Sequence, residues 1–108
     1  MSYNVITLHS FDKQAKRLVK KYPSLKIELG ELIRSLKSEP KQGTSLGSSC
    51  FKIRLSIASK GKGKSGGGRI ITHLHFSENT VILLSLYDKA EQTNISDAAI
   101  KELLKYIY

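Results

Sequence analysis

The chain predicts an α+β domain with a mainly antiparallel sheet, and three observations predict it. Within Cys50–Phe76, two runs of alternating apolar and polar residues flank a segment rich in glycine and lysine, which is the pattern of two strands in a hairpin. Two helix-period stretches with a very short connection precede it, as in an antiparallel helical hairpin. A last amphipathic helix follows. With 108 residues the chain suits one domain, residues 1–108, with a single modest core.

Taken in order, Tyr3–Leu8 is short and β-prone, a first strand. Ser10 is placed to cap a helix with Asp12 in its first turn. Phe11, Ala15, Leu18, Val19 and Tyr22 form its apolar stripe, and Lys13, Lys16, Arg17, Lys20 and Lys21 its basic back. Pro23 ends that helix and suits the first turn of the next. There Leu25, Leu29, Leu32, Ile33 and Leu36 recur at helical spacing until Pro40 stops the pattern. Residues 39–49 read as an irregular connection.

A three-stranded meander comes next. On the strand that opens at Cys50, Phe51, Ile53, Leu55 and Ile57 share one face and Lys52, Arg54 and Ser56 the other. The segment from Ser59 to Gly68 reads as a flexible basic loop. On the next strand, Ile70, Thr72, Leu74 and Phe76 share one face, and Arg69, Ile71, His73 and His75 the other. Thr80–Tyr87 is a more continuously apolar third strand; with Ile82, Leu84 and Leu86 inward, Ser85, Tyr87 and Lys89 face outward. Ser96 caps a final helix whose stripe is Ile100, Leu103, Leu104 and Ile107.

The formal charge is +9. Between Glu39 and Glu78 stand Lys41, Lys52, Arg54, Lys60, Lys62, Lys64 and Arg69 with no acidic residue, an electrostatic footprint for nucleic acid, a phosphate-rich particle or an acidic protein. Scattered lysines also serve solubility alone. Cys50 is the single cysteine; it cannot form an intramolecular disulfide, fits a reducing compartment, and reads as an apolar filler. The first residues lack a signal-peptide pattern, and the longest aliphatic run is too short to cross a bilayer. A cytoplasmic location without membrane contact is expected.

Three constellations carry chemistry. Ala58–Ser65 satisfies the permissive spacing of a nucleotide-binding P-loop, but glycines and a β-branched strand follow where a helix is required, so no nucleotide cofactor is expected. His73 and His75 share a strand face without the carboxylate or cysteine cluster of a metal site, so neither a metal nor any other cofactor is expected. If both inner faces of the hairpin look into one core, Lys52, Arg54, Arg69, His73 and His75 converge on the other side of the sheet. Cleavage of RNA through its own 2′-hydroxyl needs a proton acceptor, cations around the phosphate and an acid for the leaving oxygen. Lysine crowded by cations, arginine and tyrosine can supply these. The same cations also suit passive binding of a phosphate backbone.

At Phe51-Lys52-Ile53-Arg54-Leu55, Gly68-Arg69-Ile70-Ile71 and Leu83-Leu84-Ser85-Leu86-Tyr87-Asp88-Lys89, the sequence resembles the RelE/HigB branch of the RelE/ParE superfamily, toxins of bacterial toxin–antitoxin modules. The element order is similar over nearly the whole chain, and the long glycine-lysine loop is similar to the HigB-type subgroup. The resemblance implies a ribosome-dependent endoribonuclease that cuts messenger RNA, halts translation and is masked by a cognate antitoxin. By position it implies catalytic roles for Lys52, Arg54 and Arg69, with Tyr87 and Lys89 as further candidates. The family's frequent extra arginine after the last strand is absent here, with Lys89 the nearest basic residue, and its tyrosine either corresponds to Tyr87, Tyr106 or Tyr108 or is missing. Lys60, Lys62, Lys64, His73 and His75 are expected to bind RNA. The alternatives are a ParE-like gyrase poison and an inactive relative that binds only its antitoxin.

Overall fold

The structure is a computed structural model that describes residues 2–61 and 63–108, with the side chains of Lys64 and Ser65 left undescribed. Its elements are β1 (Asn4–Thr7), α1 (His9–Lys21), α2 (Leu25–Ser38), β2 (Thr44–Gly47), β3 (Cys50–Leu55), α3 (Gly63–Gly66), β4 (Gly68–His75), β5 (Thr80–Asp88) and α4 (Asp97–Leu104). The five strands form one sheet in the order β1-β5-β4-β3-β2. β1 runs parallel to β5, and every other neighbouring pair is antiparallel. The α+β class, the first strand, the helical hairpin, the meander and the last helix are all as expected from the sequence.

Both sheet faces are covered, unequally. Phe11 and Leu18 of α1 and Leu25, Leu29, Leu32 and Leu36 of α2 pack against Ile53, Ile70, Leu74, Val81, Leu83 and Leu86 in the main core. On the opposite face, Ile100 of α4 packs on Cys50, Ile71, Ile82, Leu84 and Tyr87, with Leu46, Leu103, Leu104 and Ile107 around them. That face is therefore no open cationic plane: α4 has turned part of it into a second, smaller core.

Four local expectations are corrected. Residues 39–49 include β2, which joins β3 through Ser48 and Ser49 at φ +52° and +57°. A two-residue turn with positive φ at both positions normally uses asparagine and glycine, so the serines gave no signal. On β5 a bulge interrupts the alternation: Ile71 opposes Ser85, but Thr72 opposes Leu83. One extra residue in a strand reverses the side-chain phase. Ile82 and Leu84 thus lie under α4 and not on the helical-hairpin face, whereas Leu86 and Tyr87 keep their expected sides.

The third correction concerns Phe76, which is 52% exposed in a short helical turn beneath the Lys41 ammonium and so does not share the core face of β4. In the fourth, Leu8 and not Ser10 occupies the N-cap of α1. The Ser10 hydroxyl bonds the Leu84 carbonyl, and Gln14 Oε1 accepts the Leu86 N–H at 2.8 Å. These α1 side chains complete the β5 edge beyond the short β1. Ser96 does cap α4, accepting the Ala99 N–H at 3.1 Å.

Candidate RNA-cleaving face

The antiparallel register builds the site. Arg54 of β3 lies opposite Arg69 of β4, and Arg69 opposite Tyr87 of β5. Directly opposed residues share a face with Cβ atoms about 5 Å apart, so Arg54, Arg69 and Tyr87 form one row across the sheet. Lys52, two residues before Arg54, occupies the next row opposite Ile71. Four of the five expected catalytic residues are therefore neighbours on one end of one face. Lys89, the fifth, lies just past β5, half-buried, with its N–H bonded to the Gly67 carbonyl at 3.1 Å.

The four differ in exposure. Arg54 is exposed and Lys52 half-buried, and among the described residues neither has a carboxylate partner. Arg69 is only 4% exposed and donates to the Gly68 carbonyl at 2.9 Å. Tyr87 is also 4% exposed, and its buried hydroxyl has no hydrogen-bond partner among the described residues. Burial pushes the Tyr87 phenol upward in pKa, against a downward pull from the Arg69 charge. It stays protonated at neutral pH, a donor without an acceptor among the described residues. An uncompensated buried hydroxyl costs about 1–3 kcal/mol.

The histidines do not join this row. His73 is four residues from Arg69 on β4, about 13 Å away along an extended strand. It stands opposite Cys50, whose Sγ lies 3.5 Å from its Nδ1, and its Nε2 is 2.6 Å from the Tyr108 hydroxyl. His75 and Tyr108 complete a ring cluster with centroids 5.2 Å apart. Burial, then the neighbouring His75, lowers the His73 pKa, so its neutral ring is favoured. Burial raises that of the Cys50 thiol.

The glycine-lysine segment also departs from expectation. It holds a helical turn at Ala58–Lys60 and the single turn α3, not a plain irregular loop. The Lys60 side chain is 6% exposed and its ammonium is paired with the fully buried Asp88 carboxylate, so it does not project as an arm. Lys62 and the side chain of Lys64 lie outside the described residues.

Asp88 was absent from the expected site residues. Burial pushes its pKa up, but hydrogen bonds from Lys60, Tyr22 and the Ala90 N–H, with the Lys60 charge, outweigh that and hold it at about 2. Strand alternation sends its side chain away from Tyr87 and toward Tyr22, whose hydroxyl donates to it at 2.6 Å. No sequence signal paired it with Lys60, 28 positions away. Among the described residues no group of three or more His, Cys, Asp or Glu side chains is arranged to hold a metal ion, and no helix is long and apolar enough to cross a membrane.

Solved structures share this fold. A mutant of the E. coli toxin RelE in the free state aligns over 100% of both chains at 17% identity, with a TM-score of 0.67. The RelBE2 toxin–antitoxin complex of Mycobacterium tuberculosis aligns over 83% of this chain and 94% of its own at 16% identity and a TM-score of 0.54. A metal-bound toxin from Helicobacter pylori covers 85% and 99% at 23% identity and a TM-score of 0.53. The family described as the RelE toxin of the RelE / RelB toxin-antitoxin system matches residues 8–107. With nearly its whole length inside that match, the chain belongs to the RelE toxin family.

Proposed function

We propose that the chain acts as a single cytoplasmic domain, a toxin that cleaves messenger RNA on the ribosome and is masked by a cognate antitoxin. The observation that carries the reading is the Arg54–Arg69–Tyr87 row with Lys52 beside it. It gathers two arginines, a lysine and one protonated phenol on one end of a single sheet face. The RelE family membership and the antitoxin-bound relative from Mycobacterium tuberculosis support an antitoxin as partner.

In this scheme the 2′-oxygen attacks the adjacent phosphorus and the bond to the 5′-oxygen breaks, leaving a 2′,3′-cyclic phosphate and a free 5′-hydroxyl. Lys52 in its neutral form takes the 2′-proton, or in its charged form holds a phosphate oxygen while water takes that proton. Arg54 and Arg69 stabilise the charge that develops on phosphorus-bound oxygens, the kind of interaction that contributes most to such reactions. Tyr87 returns a proton to the leaving oxygen, with Lys89 next in line. No carboxylate and no cofactor enters the scheme. Arg54 and Lys52 meet the strand first; the buried Arg69 and Tyr87 engage once their cover shifts. The ribosome supplies the alignment of the substrate, so cleavage of free RNA is expected to be weak.

The test is inducible expression with mapping of new 5′ ends in cellular messages for wild type, Arg54→Ala and Arg69→Ala. New cuts within translated frames that vanish in both variants establish the activity. Arg54 is exposed, so its variant keeps the fold and isolates the chemistry. Growth arrest with intact messages in wild type overturns the reading in favour of a gyrase poison, and no toxicity favours a member that only binds its antitoxin.

A further inference from the structure

We propose that Asp88, acting through Lys60, clamps the 58–67 loop to the end of the sheet that carries Arg54, Arg69 and Tyr87, and so positions the loop's return into Arg69. Its kinetic consequence rests on the nuclease reading above; the clamp itself does not. The loop contains Gly61, Gly63, Gly66 and Gly67, and glycine loses more conformational freedom on ordering than any other residue. Such a loop needs anchors to hold one path.

The anchors are visible at three points. At its start, the Ala58 N–H donates to Glu28 Oε2 at 2.8 Å, and Ser59 exchanges hydrogen bonds with Ser24 at 2.9 and 3.0 Å, tying it to the beginning of α2. At its end, Gly67 accepts the Lys89 N–H, and a Cβ at Gly67 would lie 2.1 Å from the Leu55 carbonyl oxygen. Between them is the loop's one ion pair among the described residues, the Lys60 ammonium on Asp88.

That anchor is a built site rather than a surface pair. Asp88 is fully buried and takes hydrogen bonds from Lys60, the Tyr22 hydroxyl and the Ala90 N–H. The Lys60 ammonium also lies 5.5 Å from the Tyr22 ring centroid. Around the pair, Lys21 stands 3.9 Å from Asp88 and shares Glu91 with Arg17. Opposite charges buried together hold one geometry, and losing either leaves the other uncompensated. Because Asp88 follows Tyr87 directly and lies opposite Gly68, the geometry it holds is that of the backbone entering Arg69. Lys60 is thus a positioning residue and not a phosphate ligand.

The experiment compares Asp88→Asn, Lys60→Met and Lys60→Arg with wild type in the full chain. Trypsin nicking within the loop is measured under native conditions alongside global stability in denaturant, and cleavage of ribosome-bound message alongside both. Expected is loop nicking about tenfold faster in Asp88→Asn and Lys60→Met than their loss of global stability accounts for, with Lys60→Arg close to wild type. For cleavage, kcat falls about tenfold or more while KM for ribosomes stays within about twofold. Unchanged nicking in folded Lys60→Met overturns the clamp. So does nicking that merely tracks global unfolding, or a KM that rises while kcat holds. If Asp88→Asn does not fold, Lys60→Met decides. A wild-type protein that cuts no message, in variants whose loops still open, supports the clamp and overturns only the nuclease reading.

Discussion

The two ends of one sheet face teach the most about this molecule. At one end, Cys50, His73 and Tyr108 satisfy one another at 3.5 and 2.6 Å. At the other, Arg54, Arg69 and Tyr87 line up with an exposed cation at one side and, at the other, a phenol unpartnered among the described residues. Both ends use β3 and β4, and both carry titratable side chains. The first is a polar network that ties Tyr108 to the sheet, whereas the second leaves Arg54 exposed and the Tyr87 hydroxyl without a partner among the described residues. Polar residues on a common face are therefore not one site: His73 has its partners among the described residues, and the Tyr87 hydroxyl does not.

The sharpest way to break the comparison is Arg69→Ala, which is expected to lower cleavage of ribosome-bound message by about 10²–10³-fold, as loss of a charge-stabilising donor does. Mapped message ends with circular dichroism check it; retained cleavage in a folded variant removes the row from the mechanism. Tyr87→Phe is expected to cut the rate by about 10-fold or more while leaving stability unchanged or slightly higher, since it deletes a hydroxyl that bonds nothing among the described residues. A loss of stability with full activity would make Tyr87 part of the core alone.

Acid titration reaches the loop anchor. The folded Asp88 pKa of about 2 lies below the reference value of 3.8, so the unfolded chain binds its proton first as pH falls. Its contribution, about 2 kcal/mol, is complete above roughly pH 5 and is lost toward pH 2. Denaturant midpoints across that range should fall in wild type and stay flatter in Asp88→Asn.

The smallest effect belongs to the end around His73. Tyr108 is 71% exposed, so Tyr108→Phe should cost no more than about 1 kcal/mol and leave cleavage intact. Since the neutral His73 ring is favoured in the fold, its stabilisation is present above the unfolded value, about pH 6.5, and is lost as pH falls below that. Melting temperatures at pH 7.5 and 5.5 for wild type and His73→Phe test the sign.

Much of this was legible in the sequence. Strand alternation put Lys52, Arg54 and Arg69 on one side, and helical spacing picked out the stripes of α1, α2 and α4, because both depend only on local periodicity. Even Tyr87 was placed on the correct side, although the assumed phase of the strand failed at Ile82 and Leu84. A bulge leaves no mark in a run as apolar as Val81–Leu84, where either face can be buried. The Ser48–Ser49 turn was hidden for a related reason, since its residues are not those that such turns favour.

What periodicity alone determined, then, was the elements other than β2 and α3, their order and the side of the sheet on which Lys52, Arg54 and Arg69 stand. Tertiary structure decided how exposed each cation is and what it pairs with. Register brought Arg54, Arg69 and Tyr87 into one row and left His73 about 13 Å away. Packing of α4 closed the face around His73, and the buried Asp88 carboxylate drew Lys60 out of the basic surface. Such choices depend on contacts between residues far apart in the chain: a lysine in a glycine-rich loop reads as exposed until the fold brings a carboxylate to it.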